Sequence, residues 1–146
     1  MSEKLENRLK MSEGFRSKLY RDTSSKTGFE GKPGKVSIGY GYNIDDKGLP
    51  LDIIEELFQR TVQDAREEAL MAFPWLLELD EARREVVIEM VFNQGLKSVM
   101  AFTATLGALQ RKAYKESAGH LRDSLVYRQL PKRYEGLAKI IETGEY

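Results

Sequence analysis

Two stretches of sequence, SEGFRSKLYRDT at residues 12–23 and VSIGYGYNI at residues 36–44, determine how the N-terminal part of this chain is predicted to fold. A short helix is predicted over residues 3–13, because its leucines are one turn apart and Gly14 is a typical residue to end it. Residues 18–22 are typical of a short strand. Residues 36–44 place apolar side chains at every second position, which predicts a second strand.

The segment between the two predicted strands differs from both in composition. Residues 23–35 are rich in Gly, Ser, Lys and Pro, so a long exposed hairpin loop is predicted there. Gly39 and Gly41 interrupt the pattern of the second strand, and glycine inside a strand is typical of a place where another group comes close to the backbone. The N-terminal part is therefore predicted to be a small sheet region.

After this region the spacing of apolar residues becomes helical. One long helix is predicted over residues 50–73, where Pro74 should end it. A second helix is predicted over residues 80–94, with Asp80 as its N-cap and Gly95 at its end, and its later half is apolar nearly all round. Shorter helices are predicted over residues 102–112, 114–123 and 132–142. The predicted fold class is α+β, mainly α: a small N-terminal β-hairpin lobe is joined by a long helix to a C-terminal helical bundle, with a cleft between the lobes.

The composition argues against several classes of function. The chain has 146 residues, of which 41% are hydrophobic and 32% charged, and this length suits one domain with its own core. It has no Cys and a single His, His120, so no disulfide, thiol nucleophile, thiolate metal site or imidazole-built metal site is expected. No run approaches about 18 apolar residues and the N-terminus is polar, so neither a membrane span nor a signal peptide is predicted.

Charge is balanced overall but uneven along the chain. The 23 Lys and Arg residues match the 23 Asp and Glu residues, and this zero net charge argues against a strongly basic nucleic-acid binder. The net charge is +3 over residues 1–50, −6 over residues 51–107 and +3 over residues 108–146. Most of these charges are predicted to lie on solvated helix faces. If the two basic segments line the cleft, they give an anionic partner a favourable local field.

Glu13 and Asp22 are the first candidates for catalytic residues. Glu13 ends the predicted first helix and Asp22 ends the predicted first strand, an arrangement in which two side chains can face each other across a substrate. Glycoside hydrolysis requires such a pair, one carboxyl to protonate the leaving oxygen and one to activate water or form a covalent bond. By spacing alone, two surface carboxylates that cap local backbone are the simpler interpretation.

The order of residue types around this pair resembles the phage-type lysozymes, the T-even phage lysozyme-like endolysins of glycoside hydrolase family 24. That family has a Glu-Gly pair, eight residues between its Glu and its Asp, and then a Thr-Ile-Gly-x-Gly-His strand. Glu13-Gly14, the gap of eight residues to Asp22 and SIGYGY at residues 37–42 are similar to this pattern. Further similar segments extend the resemblance to about residues 5–144; they are RR at 83–84, MVFNQG at 90–95, AFT at 101–103, the segment 113–133 and TG at 143–144.

The resemblance implies a phage lysozyme-like fold, with a single lysozyme domain of two lobes over residues 1–146. The β lobe would span about residues 14–50 and the connecting helix residues 51–73. The helical lobe would combine residues 1–13 with residues 74–146. These bounds are expectations that follow from the family pattern.

The resemblance also implies a role for each matched polar residue. Glu13 would be the general acid that protonates the glycosidic oxygen. Asp22 would be the ionised carboxylate that positions or activates water on the opposite face of the sugar ring, giving inversion. Ser37 stands where the family has a Thr whose hydroxyl helps to hold this water, and Ser keeps the hydroxyl. Thr27 lies nearer to the family's spacing from Asp22 and is an alternative, although the adjoining Ile-Gly-Tyr-Gly favours Ser37. An ordinary hairpin residue is the other interpretation of Ser37.

Three further positions relate to the family pattern in different ways. Tyr42 replaces the family's His at the end of the strand, so any ion pair of that His is absent, and a packing or sugar-stacking role is expected instead. The predicted loop over residues 23–35 is several residues longer than in the T-even enzyme, and a lid or glycan contact is a hypothesis for it.

Arg133 matches an Arg that pairs with the catalytic Glu and links the lobes; a surface residue at a helix N-terminus is the alternative. An Arg beside Glu13 would lower the pKa of this carboxyl, so burial must offset it.

Substrate contacts follow from the same matching. Asn43, Phe92, Thr105 and His120 stand at positions where the family contacts the glycan or its peptide. Phe92 is also interpreted as a core residue because of its apolar neighbours, and His120 as a solvated helix residue. Trp75 is expected to anchor the helical core, with sugar stacking as its alternative.

The function implied by the resemblance is that of an endolysin muramidase. Such an enzyme hydrolyses the β-1,4 bond between N-acetylmuramic acid and N-acetylglucosamine in peptidoglycan without metal or cofactor, as a monomer, with no nucleic acid or membrane as partner. It would remain in the host cytoplasm until lysis, reach the periplasmic cell wall with the help of a separate pore-forming protein (holin), and cause cytolysis. A lytic transglycosylase that acts on the same bond, and a non-catalytic wall-binding or tail module, are the alternatives.

Overall fold

A computed structural model describes residues 3–21 and 35–146 of the chain, and at Glu13 it describes the backbone alone. The chain divides into two compact units, Met1–Glu55 and Glu56–Tyr146. No helix in the described part of the chain is both long and apolar enough to cross a lipid bilayer. The division into a β lobe, a connecting helix and a helical lobe stays a prediction.

The first unit contains a small antiparallel sheet. In chain order its elements are α1 (Glu3–Glu13), β1 (Arg16–Arg21), β2 (Val36–Gly39), β3 (Tyr42–Asn43), α2 (Ile44–Lys47) and the start of α3 (Leu51–Ala72). The strands pair in the order β1-β2-β3, so β2 is central among the described strands. Helix α1 has the predicted bounds, whereas β1 begins at Arg16, two residues before the predicted start.

The prediction of one continuous strand over residues 36–44 is wrong. The chain turns between β2 and β3, and the helix α2 already begins at Ile44. Gly39 and Gly41 have φ angles of +66° and +76°, values that residues with a Cβ rarely adopt. The space around Gly39 would hold a Cβ without contact, so backbone conformation rather than a close neighbour requires glycine there. Within β2 the buried residue is Ser37, and its apolar neighbours are half-buried.

The second unit is helical. After α3 it contains a 3-10 helix (Pro74–Glu78), α4 (Glu81–Gln94), α5 (Leu96–Met100), α6 (Thr103–Gln110), α7 (Tyr114–Arg122), α8 (Leu125–Gln129) and α9 (Pro131–Thr143). The predicted caps of α4 are confirmed, because the Asp80 carboxylate accepts a hydrogen bond from the Arg83 amide and Gly95 ends the helix with a φ of +80°. The α5 and α8 helices were not predicted. The fold is α+β and mainly α, as the sequence predicts.

The core of the second unit surrounds α4. Val86, Val87 and Met90 are almost fully buried there, together with Leu121 of α7 and Tyr134 of α9. Burial of each such side chain contributes about 1.5–3 kcal/mol relative to exposure. Helix α9 packs against both α4 and α7, so the three helices contribute to one core.

Two aromatic residues, Trp75 and Phe92, have alternative interpretations that the structure can test. Trp75 is half-buried, packs against the core, and its ring centroid is 5.9 Å from that of Phe73, in agreement with an anchoring role. Phe92 is 38% exposed, so its interpretation as a core residue is wrong. The ring of Phe92 instead meets Phe58 of α3 edge-on, with 5.9 Å between centroids.

Arg83 of α4 caps the C-terminal end of α9. Its Nε and Nη2 atoms donate to the carbonyl oxygens of Ile141 (2.7 Å) and Glu142 (3.1 Å), and Nη1 donates to the Asp80 carboxylate (2.8 Å). The guanidinium also lies 3.6 Å from the centre of the Tyr114 ring. Carbonyls in the last turn of a helix have no partner within that helix, so this one side chain both satisfies α9 and joins it to α4.

Gly144→Ala is expected to lower the free energy of unfolding by about 2–3 kcal/mol, as measured by urea denaturation. Gly144 has a φ of +78°, and a Cβ at this position would lie 2.6 Å from Nη1 of Arg83. Arg83 is not free to move away, because its hydrogen bonds and the Tyr114 ring hold it. Gly136→Ala in the same helix is the matched control: no atom lies within 4 Å of that Cβ, so a gain of about 0.5–1 kcal/mol is expected. A loss of 1 kcal/mol or less for Gly144→Ala would contradict the role of Arg83.

A second network joins α7, α8 and α9. Nε and Nη2 of Arg122 donate to the Glu135 carboxylate at 3.0 and 3.1 Å, and Nη2 also donates to Glu142 at 3.2 Å. The Tyr127 hydroxyl donates to Glu135 at 3.1 Å. The hydrogen bonds from Arg122 lower the pKa of the Glu135 carboxyl. The hydrogen bond between Tyr127 and Glu135 raises the pKa of the Tyr127 hydroxyl.

Arg122→Gln is expected to lower the urea midpoint at pH 7 and to lower it less at pH 3. A carboxyl whose pKa is depressed by folding adds stability above its unfolded pKa, near 4.5, and this stability is lost as the pH falls through the folded value. The wild-type protein therefore loses this contribution in acid, and the two midpoints converge. Arg128→Gln is the control, because Arg128 is exposed and forms no ion pair with any described residue. A difference that stays constant from pH 7 to pH 3 would contradict this account.

Candidate active site

Glu13 is the last residue of α1, at the junction with the sheet. The amide of Gly14 donates to the carbonyl oxygen of Lys10 at 3.2 Å, which closes the last turn, and Gly14 takes a φ of +70°. The chain then enters β1 at Arg16. The backbone of Glu13 therefore has the helix-end position that the sequence predicts, while its side chain lies outside the described part of the structure.

Ser37 lies on the central strand β2. In the register of the sheet it stands opposite Tyr20 of β1 on one side and Asn43 of β3 on the other. Only 6% of Ser37 is exposed, and it is the one residue of β2 that is classed as buried. The backbone of a central strand is hydrogen-bonded on both sides, which fixes the position from which the Ser37 side chain extends.

Asp22 and Thr27 lie outside the described residues. The last described residue of β1 is Arg21, which pairs with Val36, the neighbour of Ser37. The pairing of Asp22 with Glu13, and the choice between Ser37 and Thr27 as the residue that holds water, stay predictions. The hypothesis that residues 23–35 form a lid or a glycan contact also falls outside the described residues, except at Lys35.

A polar cluster fixes the start of β2. The ammonium group of Lys35 forms an ion pair with the Asp46 carboxylate, and the Val36 amide donates to the Asp45 carboxylate at 2.7 Å. The hydrogen bond from Lys35 lowers the pKa of the Asp46 carboxyl. Ser37 follows this cluster directly, so α2 anchors the strand that carries it. These residues were not among the predicted site residues, although a carboxylate three residues after Asn43 is a typical capping signal.

Asn43 and Tyr42 both have local structural roles. The Asn43 side chain caps α2: its Oδ1 accepts from the Asp46 amide at 3.1 Å and its Nδ2 donates to the Asp46 carboxylate at 2.8 Å. An amide has two donors and two lone pairs, so one donor and one lone pair of Asn43 have no partner among the described residues. The Tyr42 hydroxyl donates to the Gly48 carbonyl oxygen at 2.8 Å, in agreement with a packing role.

Two of the predicted contact residues share a pocket in the second unit. Thr105 of α6 and His120 of α7 line a pocket of about 450 Å³. Thr105 is buried, and its carbonyl oxygen accepts from the Ser117 hydroxyl at 2.8 Å. His120 is partly exposed, with Nε2 at 3.4 Å from the Glu116 carboxylate. The two residues are fifteen positions apart in sequence, and packing of α6 on α7 brings them together.

Phe92 and Arg133 lie elsewhere in the same unit. Phe92 lines a separate groove of about 440 Å³ with residues of α3, α4 and α9. Arg133 is in the first turn of α9, where Nη1 donates to the Asn93 side chain at 3.3 Å. The structure therefore brings Thr105 and His120 together but does not add Phe92 to their pocket. Pairing of Arg133 with Glu13 stays a prediction.

One further residue of the Thr105–His120 pocket was not predicted from the sequence. Gln94 is the last residue of α4 and also lines the pocket. Its Nε2 atom is buried, and no residue in the described ranges accepts a hydrogen bond from it. The sequence offers one signal for this residue: Gln94 is a polar amide at the end of a helix whose later half is apolar nearly all round.

Comparison with known proteins adds full-length similarity to this geometry. No family model matches the chain. The chain is 26% identical over 165 aligned positions to "Probable T4-type lysozyme 1" of Dictyostelium discoideum. This alignment covers 99% of this chain and 96% of the relative. It is 25% identical over 173 positions to "Probable T4-type lysozyme 2" of the same organism, with the same coverage. The similarity therefore spans both compact units.

Proposed function

We propose that this chain, which is similar along nearly its whole length to two T4-type lysozymes, is a muramidase that hydrolyses the β-1,4 bond between N-acetylmuramic acid and N-acetylglucosamine in bacterial peptidoglycan. The observation that carries the proposal is similarity to two T4-type lysozymes along nearly the whole of each chain. The resemblance to the family pattern at Glu13, Ser37 and Arg133 also supports it.

The proposed chemistry assigns different work to two carboxyl groups. Glu13 protonates the glycosidic oxygen as the bond to the leaving sugar breaks. Asp22, ionised, positions and activates the water that attacks from the opposite face of the ring, and the product has inverted configuration. In sequence Asp22 follows Arg21, whose partner in the sheet, Val36, precedes Ser37.

Ser37 is proposed to orient the attacking water. Its hydroxyl can donate one hydrogen bond and accept others, which suits a water that must be held while it loses a proton. The central position of β2, and the anchoring of its start by Lys35, Asp45 and Asp46, restrict the movement of this hydroxyl. Precise placement of a nucleophile is worth a large rate factor in such reactions.

The substrate contacts are proposed on the same family matching. Asn43, Phe92, Thr105 and His120 are assigned to the glycan or its peptide. For Thr105 and His120 the shared pocket supports the assignment, because two residues fifteen positions apart in sequence line one concave surface. For Asn43, the donor and the lone pair that have no partner among the described residues support a contact with the substrate.

For the biological setting we propose a phage endolysin that lyses the host cell. In this setting the enzyme gathers in the host cytoplasm and reaches the periplasmic wall after a separate pore-forming protein (holin) opens the membrane. Both reported relatives come from Dictyostelium discoideum, so the phage setting is supported by the motif resemblance and not by their source.

The proposed function is tested by clearing of permeabilised Gram-negative cells. The purified chain should lower the turbidity of the suspension and release new reducing sugar ends from isolated walls. A non-catalytic wall-binding or tail module would sediment with the walls and release no reducing ends. That second result would overturn the proposal.

A further inference from the structure

Arg16, the first residue of β1, carries a guanidinium that is positioned by an aromatic ring. Its Cζ atom lies 4.7 Å from the centre of the Tyr20 ring, and no carboxylate within the described ranges forms an ion pair with it. Attraction between a cation and a ring holds a guanidinium in place and does not require any of its five N–H donors. The strand therefore presents a positioned cation whose donors remain for an acceptor.

The register of the sheet places this cation on the face that carries Ser37. Residues directly opposite each other in an antiparallel pair share a face of the sheet. Tyr20 stands opposite Ser37, and Arg16 stands opposite Gly39, two residues further along β2. The guanidinium over the Tyr20 ring is therefore on the same face as the residue that is proposed to orient the attacking water.

The position opposite Arg16 is open. Gly39 has no side chain, and a Cβ at this position would have no atom of the described residues within 4 Å. Arg16 is itself exposed to solvent. An open position beside a guanidinium suits a carboxylate, because its two oxygens can accept two parallel hydrogen bonds from the planar fork.

We infer that Arg16 is a specificity-determining residue that binds a carboxylate of the peptide attached to the glycan strand of peptidoglycan. The inference rests on the proposed function and adds an anionic contact to the first unit, where Asn43 is the substrate contact that the family matching assigns. In the intact polymer an amide bond joins the lactyl carboxyl of N-acetylmuramic acid to the peptide, so the remaining carboxylates are those of the peptide. The net charge of +3 over residues 1–50 favours the approach of such an anionic strand.

The first measurement compares native walls with walls whose peptide carboxylates have been converted to amides by carbodiimide and ammonia. Dissociation constants are obtained by sedimentation of the full-length wild type and Arg16→Gln with each kind of wall, on ice. Arg16→Gln is expected to raise the constant for native walls about three- to tenfold and to change the constant for amidated walls less than twofold. Equal binding of the two proteins to native walls overturns the inference. A rise of the same size on amidated walls also overturns it, because the lost contact would not be one with a carboxylate.

Lys47→Gln is the matched control. Lys47 also lies over a tyrosine ring, with 5.5 Å between its Nζ atom and the centre of the Tyr42 ring, and the substitution removes the same charge from the same unit. Tyr42 stands opposite Ile38, the residue after Ser37, so its ring belongs to the other face of the sheet. A change below twofold is expected on both kinds of wall. A rise equal to that of Arg16→Gln would show a general effect of charge and overturns the inference.

A second variant, Arg16→Lys, keeps the positive charge and removes the planar fork. Its dissociation constant for native walls is expected to lie between those of the wild type and Arg16→Gln, and a constant equal to or above that of Arg16→Gln overturns the inference. Urea midpoints are measured on the same preparations. If Arg16→Gln does not fold, the comparison of Arg16→Lys on native and amidated walls decides in the same way.

Failure of this inference is separable from failure of the proposed function. Sedimentation measures binding alone, so it tests the role of Arg16 whether or not the glycosidic bond is cleaved. Release of reducing ends by the wild type, together with unchanged binding of Arg16→Gln, refutes the contact and leaves the muramidase proposal standing. Binding that depends on Arg16, without release of reducing ends, refutes the muramidase proposal and not the contact.

Discussion

Glu13→Gln is expected to slow wall clearing by about 100- to 10,000-fold, the range that a general acid supplies in such reactions. Glutamine keeps the size and shape of the side chain but has no acidic proton to give to the leaving oxygen. Without this proton the leaving sugar must depart as an alkoxide, which raises the barrier. Initial clearing rates on permeabilised cells, divided by the concentration of folded protein, measure the effect.

The control for this substitution is Glu3→Gln in the same helix. Glu3 is exposed in the first turn of α1, ten residues before Glu13. Its loss should change the clearing rate by less than twofold, while both variants keep the urea midpoint of the wild type. Equal clearing by wild type and Glu13→Gln would show that Glu13 is not the acid.

Asp22→Asn is expected to reduce the clearing rate by about 100-fold or more with little change in stability. Asparagine can still hydrogen-bond to water but cannot take up its proton or stabilise positive charge on the sugar ring. The folded state should be nearly unaffected if the carboxylate exists for catalysis. Clearing rate and urea midpoint are measured on the same preparation.

Asp64→Asn, an exposed position on α3, controls for the general loss of one negative charge. It should leave both the clearing rate and the midpoint near those of the wild type. A large fall of the Asp22→Asn midpoint would instead make Asp22 a structural residue. A normal clearing rate for Asp22→Asn would remove it from the proposed mechanism.

Most long elements of the fold could be predicted because their signals are local. The bounds of α3 and α4 follow from helical periodicity and from single residues with fixed backbone demands, such as Asp80 at the N-cap and Gly95 at the end. The five-residue helices α5 and α8 are too short to show a period, so no pattern marked them. Length of the repeating signal, rather than its strength, decided which helices were predicted.

The error over residues 36–44 has a different origin. Tyr40 within the turn and Tyr42 directly after it continue the period-two pattern, so the turn between β2 and β3 resembles a strand in sequence. Gly39 and Gly41 do not resolve this in sequence, because glycine is typical both of a close approach to the backbone and of a positive φ. The core interpretation of Phe92 is wrong for a similar reason: the apolar run that contains it does not show at which residue the helix side chains become exposed.

The candidate site was predictable in part. The helix-end position of Glu13 and the strand position of Ser37 follow from local sequence and agree with the structure. Two contacts of the site join residues that are far apart in sequence. Lys35 and Asp46 are eleven positions apart, and Thr105 and His120 are fifteen, so no local sequence pattern predicts either contact. The buried donor of Gln94 is likewise a property of packing and not of sequence.

Digestion of purified peptidoglycan in ¹⁸O-labelled water, followed by mass spectrometry of the released muropeptides, tests the proposed hydrolysis most directly. The account predicts reducing ends on N-acetylmuramic acid, each with one ¹⁸O atom from the attacking water. Unlabelled anhydro-muramic ends would contradict it and identify a lytic transglycosylase. Labelled reducing ends on N-acetylglucosamine would contradict the assigned bond.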